Sequence, residues 1–263
     1  MHRITHPNGV VTFAFDNLTD LPVRAHVSTR HGGVSPAPWT SLNFSVSRGD
    51  TPTRTAANFA LFCQAASVDP AHPVRCRQVH GTTVAKVTWD DAGQWQSATD
   101  GLITDEVGLP LSLVFADCVP VLLYDAQRHA LGVCHAGWKG TVNGTATATL
   151  WAMQAAYATD PADVHVGIGP SIGPDSYEVG DEVVDMVRAK LPRPHRFLSG
   201  PNANGRLYLD LWQANAAQLV AAGVRPDHIE ISGVDTAQHT DDFFSHRAER
   251  GQCGLFSLMA WLA

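Results

Sequence analysis

The chain has 263 residues, 44% of them hydrophobic, a net charge of −7 and a pI near 6.0. Charged residues make up only 16%, against roughly 25% in an average globular protein. The 18 Lys and Arg are scattered, which speaks against a general nucleic-acid binder, because neutralising phosphates takes clustered cations.

In chain order, Val10–Phe15 reads as an opening strand and Thr29–Trp39 as a Gly/Pro-rich loop. Thr55–Ala66 reads as a helix with Phe59, Leu61, Phe62 and Ala66 as its apolar stripe. Between Val74 and His135 the pattern turns to short strands, among them Leu111–Phe115, Val119–Tyr124 and Ala130–Cys134. Val79, Val84 and Val87 read as strand residues in the same stretch. Helices follow at Gly144–Tyr157, at Gly180–Lys190 before Pro192, and at Leu211–Ala222 before Gly223. Val164–Ile168, Ile229–Ile231 and Cys253–Trp261 supply further strands. Interleaved strands and helices predict an α/β or α+β class with a mixed sheet.

No run approaches the ~18 apolar residues of a membrane span. The N-terminus lacks the apolar segment of a signal peptide. Five cysteines without a CxxC pair fit a reducing compartment. The expectation is one cytoplasmic domain over 1–263, with no membrane or nucleic-acid partner.

Three segments carry chemistry: Arg77-Gln-Val-His80-Gly, Ala116-Asp-Cys118-Val-Pro and Cys134-His135-Ala-Gly-Trp-Lys-Gly140. Two imidazoles and a thiolate form the ligand set of a catalytic zinc site, with a fourth position open. The softness of these ligands favours zinc or copper over magnesium. Zinc would lower the pKa of a bound water to about 7. Neighbours in a strand face opposite ways, so His135 is expected at the site and Cys134 in the core. The bland alternatives are a hydrogen-bonded core histidine and a buried, inert Cys118; the spacing has no zinc-finger regularity. A competing reading makes Cys118 a nucleophile activated by His135 or His80. Asp117 is a candidate for orienting a ligand or accepting a proton.

Other segments suit substrate binding. Arg30, Arg48 and Arg54 flank the start of the first helix, where an anion could sit, with Asn43 nearby. Lys139 adds a cation beside His135, and Arg247 follows the pair Phe243-Phe244. The loop Gly167–Pro174 lacks the Lys-Ser/Thr ending of a nucleotide-triphosphate loop. No Gly-x-Ser-x-Gly elbow is present, so a serine hydrolase is disfavoured.

Thr29-Arg-His-Gly-Gly-Val-Ser, Ser41-Leu-Asn43, Gln78-Val-His80-Gly, Asp100-Gly101, Ala116-Asp-Cys118-Val-Pro-Val, His135-Ala-Gly-Trp-Lys-Gly140, Gly169-Pro-Ser-Ile-Gly173, Tyr177-Glu-Val-Gly180 and Phe243-Phe-Ser245-His-Arg247 resemble the bacterial laccase-domain family. It is also called multicopper polyphenol oxidoreductase, purine nucleoside phosphorylase of the laccase-domain type, or peptidoglycan editing factor. The resemblance runs in order from about Thr29 to the end. It implies a single-domain fold similar to the deamidase domain of a cytotoxic necrotising factor, with zinc on the positions matching His80, Cys118 and His135. It also implies phosphorolysis of adenosine, inosine and methylthioadenosine, and deamination of adenosine. Removal of wrong muropeptide precursors by an amide hydrolase and copper-dependent phenol oxidation are the alternatives it carries. Within the first reading, purine nucleoside and phosphate are the small-molecule partners. His80, Cys118, His135 and Asp117 would form the catalytic set; Asn43, Arg48, Arg54, Lys139, Glu178 and Arg247 would bind substrate. The chain departs from the family pattern at Asp235-Thr236, where relatives often carry Cys-Thr, and this weakens a redox role.

Overall fold

The computed structural model describes residues 1–263. Two large sheets and one small one build the fold. The first sheet has the order β1 (His2–Thr5), β2 (Val11–Ala14), β3 (Val23–Ser28), β16 (Phe256–Leu262), β8 (Leu111–Phe115), β4 (Val74–Cys76) and β6 (Trp95–Gln96). The second runs β15 (Ile229–Ile231), β11 (Val164–Ile168), β9 (Val119–Asp125), β10 (Ala130–Ala136), β7 (Gly101–Thr104) and β5 (Val84–Lys86). A three-stranded sheet joins β12 (Glu178–Val179), β14 (Leu207–Leu209) and β13 (Leu198–Ser199). Both large sheets mix parallel and antiparallel pairs, so the mixed α/β class holds. The helices are α1 (Pro52–Ala65), α2 (Trp138–Asn143), α3 (Thr145–Tyr157), α4 (Asp181–Lys190) and α5 (Leu211–Ala221). None is long and apolar enough to cross a membrane.

The β9–β10 hairpin lies in the middle of the molecule and is buried along its whole length. Strands covered on both faces read as continuous apolar runs, and Val119-Pro-Val-Leu-Leu-Tyr124 is one. Alternation divides their side chains between two cores. Val121, Leu123, Ala130 and Cys134 face the helix layer. Leu122, Tyr124, Leu131 and Val133 face the first sheet, meeting Phe115, Phe256 and Leu258. His135 falls on this inter-sheet face, with Phe115 at a ring distance of 5.6 Å.

Several element boundaries differ from the expectation. Helix α1 starts three residues early, because Pro52 suits its first turn and the Thr51 hydroxyl accepts from the Arg54 amide. Val79 lies outside any strand, with its side chain 55% exposed. Helix α2 was hidden by Gly137, Gly140 and Gly144. The left-handed Gly144 (φ 82°) ends it and opens α3. Strands β1, β6 and β7 also escaped the apolar pattern.

Candidate metal centre and its two clefts

His80, Cys118 and His135 come together, with one donor atom from each all within 4.8 Å of one another. They come from three places in the fold. His80 follows β4 of the first sheet, Cys118 sits in the turn where β8 crosses to β9, and His135 lies in β10 of the second sheet.

Register explains the placement of His135. Cys134 pairs with Gly101 across β10 and β7, so Asp100 arrives beside His135. The His135 amide donates to the Asp100 carbonyl (2.8 Å), and Asp100 Oδ1 lies 2.9 Å from His135 Nδ1. The other ring nitrogen, Nε2, is thereby left for the site. The same carboxylate accepts from the amides of Val79 (3.0 Å), His80 (3.0 Å) and Gly81 (2.8 Å). This curls the chain around Asp100 and ends the strand that Val79 suggested. His80 pays with a left-handed backbone (φ 59°), and Asp117 beside Cys118 has another (φ 75°); such conformations cost about 1–2 kcal/mol. Burial opposes the ionised form of Asp100, but His135 and the Gly81 and Val79 amides outweigh it and hold its carboxyl below the usual range.

Burial also opposes the thiolate of Cys118, yet the two histidines bring its pKa down to about 6. Its charge and Asp100 in turn raise His135 to about 9 against the pull of burial. Cys134, one residue from His135, packs in the other core, and burial pushes its thiol up to about 12. The neighbours thus divide as strand alternation requires.

The triad fits a metal. Zinc–sulfur and zinc–nitrogen bonds of about 2.3 and 2.0–2.1 Å place tetrahedral ligands roughly 3.3–3.6 Å apart, within the observed limit. Gly137 keeps the space clear: a Cβ there would lie 2.8 Å from Cys118 Sγ and 2.9 Å from His80 Nδ1.

Two clefts meet at the triad, sharing Arg48, His80, Ala116 and Cys118. The larger, about 730 Å³, has aromatic walls that include Phe44, Phe59, Trp95 and Phe115. The smaller, about 430 Å³, is lined by Arg48, Lys139, Tyr177, His246 and Arg247 among others. Arg48 bridges them, donating to the Gly251 carbonyl (3.0 Å) and resting 2.8 Å from His246 Nδ1. Arg247 lies over the Tyr177 ring at 5.1 Å and donates to the Glu178 carbonyl (2.9 Å).

Asp117 lines the smaller cleft, but its oxygens are engaged by the Thr236 hydroxyl (2.7 Å) and the Arg247 amide (2.6 Å). Three of the proposed substrate contacts lie elsewhere. Asn43 is fully buried, donating to Asp50 and the Ser45 carbonyl and accepting from the Ser45 and Leu255 amides, so it shapes the loop instead. Arg54 turns back to Asp50 at 3.9 Å and borders neither cleft. The Glu178 carboxylate accepts from Asn202 (2.7 Å) and also borders neither. Arg30 staples a loop to Glu249 and the Thr240 carbonyl. Phe243 and Phe244 are core residues. Asp100 and Gly137 had no assigned role in the sequence; an Asp opening a strand, and a Gly two residues past a candidate ligand, were the signals.

A mixed α/β fold around a candidate His-Cys-His metal centre defines a protein of the laccase-domain type. The family described as "Multi-copper polyphenol oxidoreductase laccase" matches residues 24–263, and the chain belongs to it. It is 39% identical over 237 residues to purine nucleoside phosphorylase YlmD of Geobacillus stearothermophilus, covering 88% of this chain and 86% of the relative. It is 34% identical over 249 residues to the Bacillus subtilis protein of the same name, covering 92% and 89%. The crystal structure of the Geobacillus stearothermophilus YlmD superposes with a TM-score of 0.90 at 35% identity, over 99% of this chain and 98% of that one.

Proposed function

We propose that the protein is a zinc-dependent purine nucleoside phosphorylase acting on inosine, adenosine and methylthioadenosine, with one catalytic unit over residues 1–263. The observation that carries this reading is the triad at the junction of two clefts, both lined by cations and the larger also walled by aromatics. Both large sheets help to place the triad, which supports treating the chain as a single unit. The naming of its relatives as purine nucleoside phosphorylases agrees with it.

The nucleoside occupies the larger cleft, where Phe44, Phe115 and neighbouring aromatics suit a flat purine. Phosphate occupies the smaller cleft. Arg48, Lys139 and Arg247 offset its charge. Tyr177, whose phenol burial keeps protonated, donates a hydrogen bond to it. Asp117 holds Arg247 in place through that residue's amide, and so acts by positioning. In the reaction a phosphate oxygen forms a bond to C1′ of the ribose. The bond from C1′ to the base nitrogen breaks, and its electron pair leaves with the purine, which takes up a proton. The products are a free purine and a pentose 1-phosphate: ribose 1-phosphate from inosine or adenosine, and its 5-methylthio counterpart from methylthioadenosine. His80, Cys118 and His135 would hold the zinc, which supplies a Lewis acid at the junction.

Adenosine deamination belongs to the same reading as a second activity of the centre. The amide-hydrolase reading would use the same residues, but no observation favours it over phosphorolysis. Copper oxidation of phenols is weaker: the chain assembles one group of three ligands, while four-electron reduction of oxygen generally uses several coppers.

Chromatography of zinc-loaded protein incubated with each nucleoside, with and without phosphate, tests the reading. Free base that requires phosphate supports it. Base release that ignores phosphate, or no release from any nucleoside, rejects it; inosine formed from adenosine reports the second activity separately.

A further inference from the structure

The larger cleft has an anion-shaped imbalance. Arg48, Arg75 and Arg77 line it, and no Asp or Glu does, in a chain whose net charge is −7. Arg75 is the unusual member. Its guanidinium lies between two rings, 4.7 Å from the Phe59 centroid and 4.4 Å from the Trp95 centroid. It forms no ion pair and no side-chain hydrogen bond, and its buried Nε has no partner at all. A guanidinium withdrawn from water without a carboxylate is costly unless something else answers its charge. Delocalisation makes the guanidinium a flat fork that matches a phosphoryl group, and the two rings pack against it. Arg77, just past the end of β4, lines the same cleft two residues nearer His80. The opposite wall is the face of α1 that carries Pro52, Thr55, Ala56 and Phe59. Phe59, expected as core, therefore serves as a wall of the cleft and a plate for Arg75.

We infer that Arg75, with Arg77, forms a phosphoryl-binding subsite in the larger cleft, so that the preferred substrates are purine nucleosides bearing a phosphate ester. This rests on the placement of the nucleoside in that cleft. Because the cations of the smaller cleft are assigned to inorganic phosphate, the ester is the source favoured for Arg75, and free phosphate is the other source of the same chemistry.

Calorimetric titration of inosine, inosine 5′-monophosphate and inorganic phosphate into the full chain and into Arg75→Met tests it. Methionine retains an apolar stem between Phe59 and Trp95 and removes the charge. The monophosphate should weaken about tenfold or more, with inosine and phosphate unchanged. A loss confined to inorganic phosphate would retain the subsite and assign it to the free ion. Phosphate-bearing probes that bind both proteins within twofold of each other, or fail to bind the wild type, overturn the inference. If thermal melting shows Arg75→Met to be unfolded, Arg77→Met takes its place, with a loss of about threefold expected and none overturning the claim. Binding is read without turnover. A protein that binds the monophosphate but releases no base therefore rejects the phosphorylase reading and retains the subsite.

Discussion

His135 and His26 are both strand histidines packed against an aromatic ring, Phe115 and Trp261 respectively, yet they have opposite electrostatics. His135 has Asp100 on one nitrogen and faces Cys118 and His80; Cys118 and Asp100 outweigh burial and raise its pKa to about 9. His26, in β3, stacks on Trp261 at 5.7 Å and meets His6 edge-on. Its Nδ1 lies 3.4 Å from the Thr12 hydroxyl, and no carboxylate faces it. Burial, with His6 and Arg24, lowers its pKa to about 4. A histidine in a strand thus becomes a candidate ligand or a packing residue according to what the neighbouring chain brings against it. For His135 that is an aspartate set in place by the β10–β7 register.

The comparison breaks most directly at Cys118. Cys118→Ala should lower zinc affinity more than about 100-fold, since a thiolate ligand and its charge are lost. Elemental analysis after gel filtration reads this, and retained stoichiometric zinc would remove Cys118 from the centre. Asp100→Asn should weaken zinc roughly 10–100-fold, because the histidine loses its anionic partner and the His80 loop its anchor; a competition assay with a chromophoric chelator measures the loss. Gly137→Ala should cost about tenfold in the same assay, through the contacts a Cβ makes with Cys118 and His80. Unchanged affinity there would mean the space is not needed.

The smallest effect sharpens the other side. Because the folded-state pKa of His26 lies below its ordinary value, its contribution to stability is complete above about pH 6.5 and is lost as pH falls toward 4. His26→Phe preserves the stack on Trp261 and removes the titration. Between pH 7 and 5 it should lose about 1–2 kcal/mol less than the wild type, a few degrees in Tm. Parallel melting curves for the two proteins across that range would count against the burial of a neutral imidazole.

The apolar runs were legible because β9 and β10 are covered on both faces, and alternation alone separated His135 from Cys134. The candidate triad was legible as three potential ligands, two histidines and a cysteine, beside Gly and Pro. What was hidden depends on long-range register. Asp100 matters only because Gly101 pairs with Cys134, and Asn43 was read as a ligand contact although Asp50 and Leu255 consume it. Arg54, expected at an anion site for its place at the helix start, and Glu178, expected as a substrate contact within the nucleoside reading, each turn to a local polar partner. Arg75 escaped because nothing in a strand sequence shows which two rings will close over a guanidinium.

The central claim is phosphate-dependent cleavage of a nucleoside at the junction of the two clefts. Phosphorus NMR of zinc-loaded protein with inosine and phosphate tests it directly. A growing ribose 1-phosphate resonance is expected at the expense of inorganic phosphate, absent with Cys118→Ala. An unchanged phosphate signal while inosine is consumed, or a ribose 1-phosphate signal of equal rate in that variant, would contradict it.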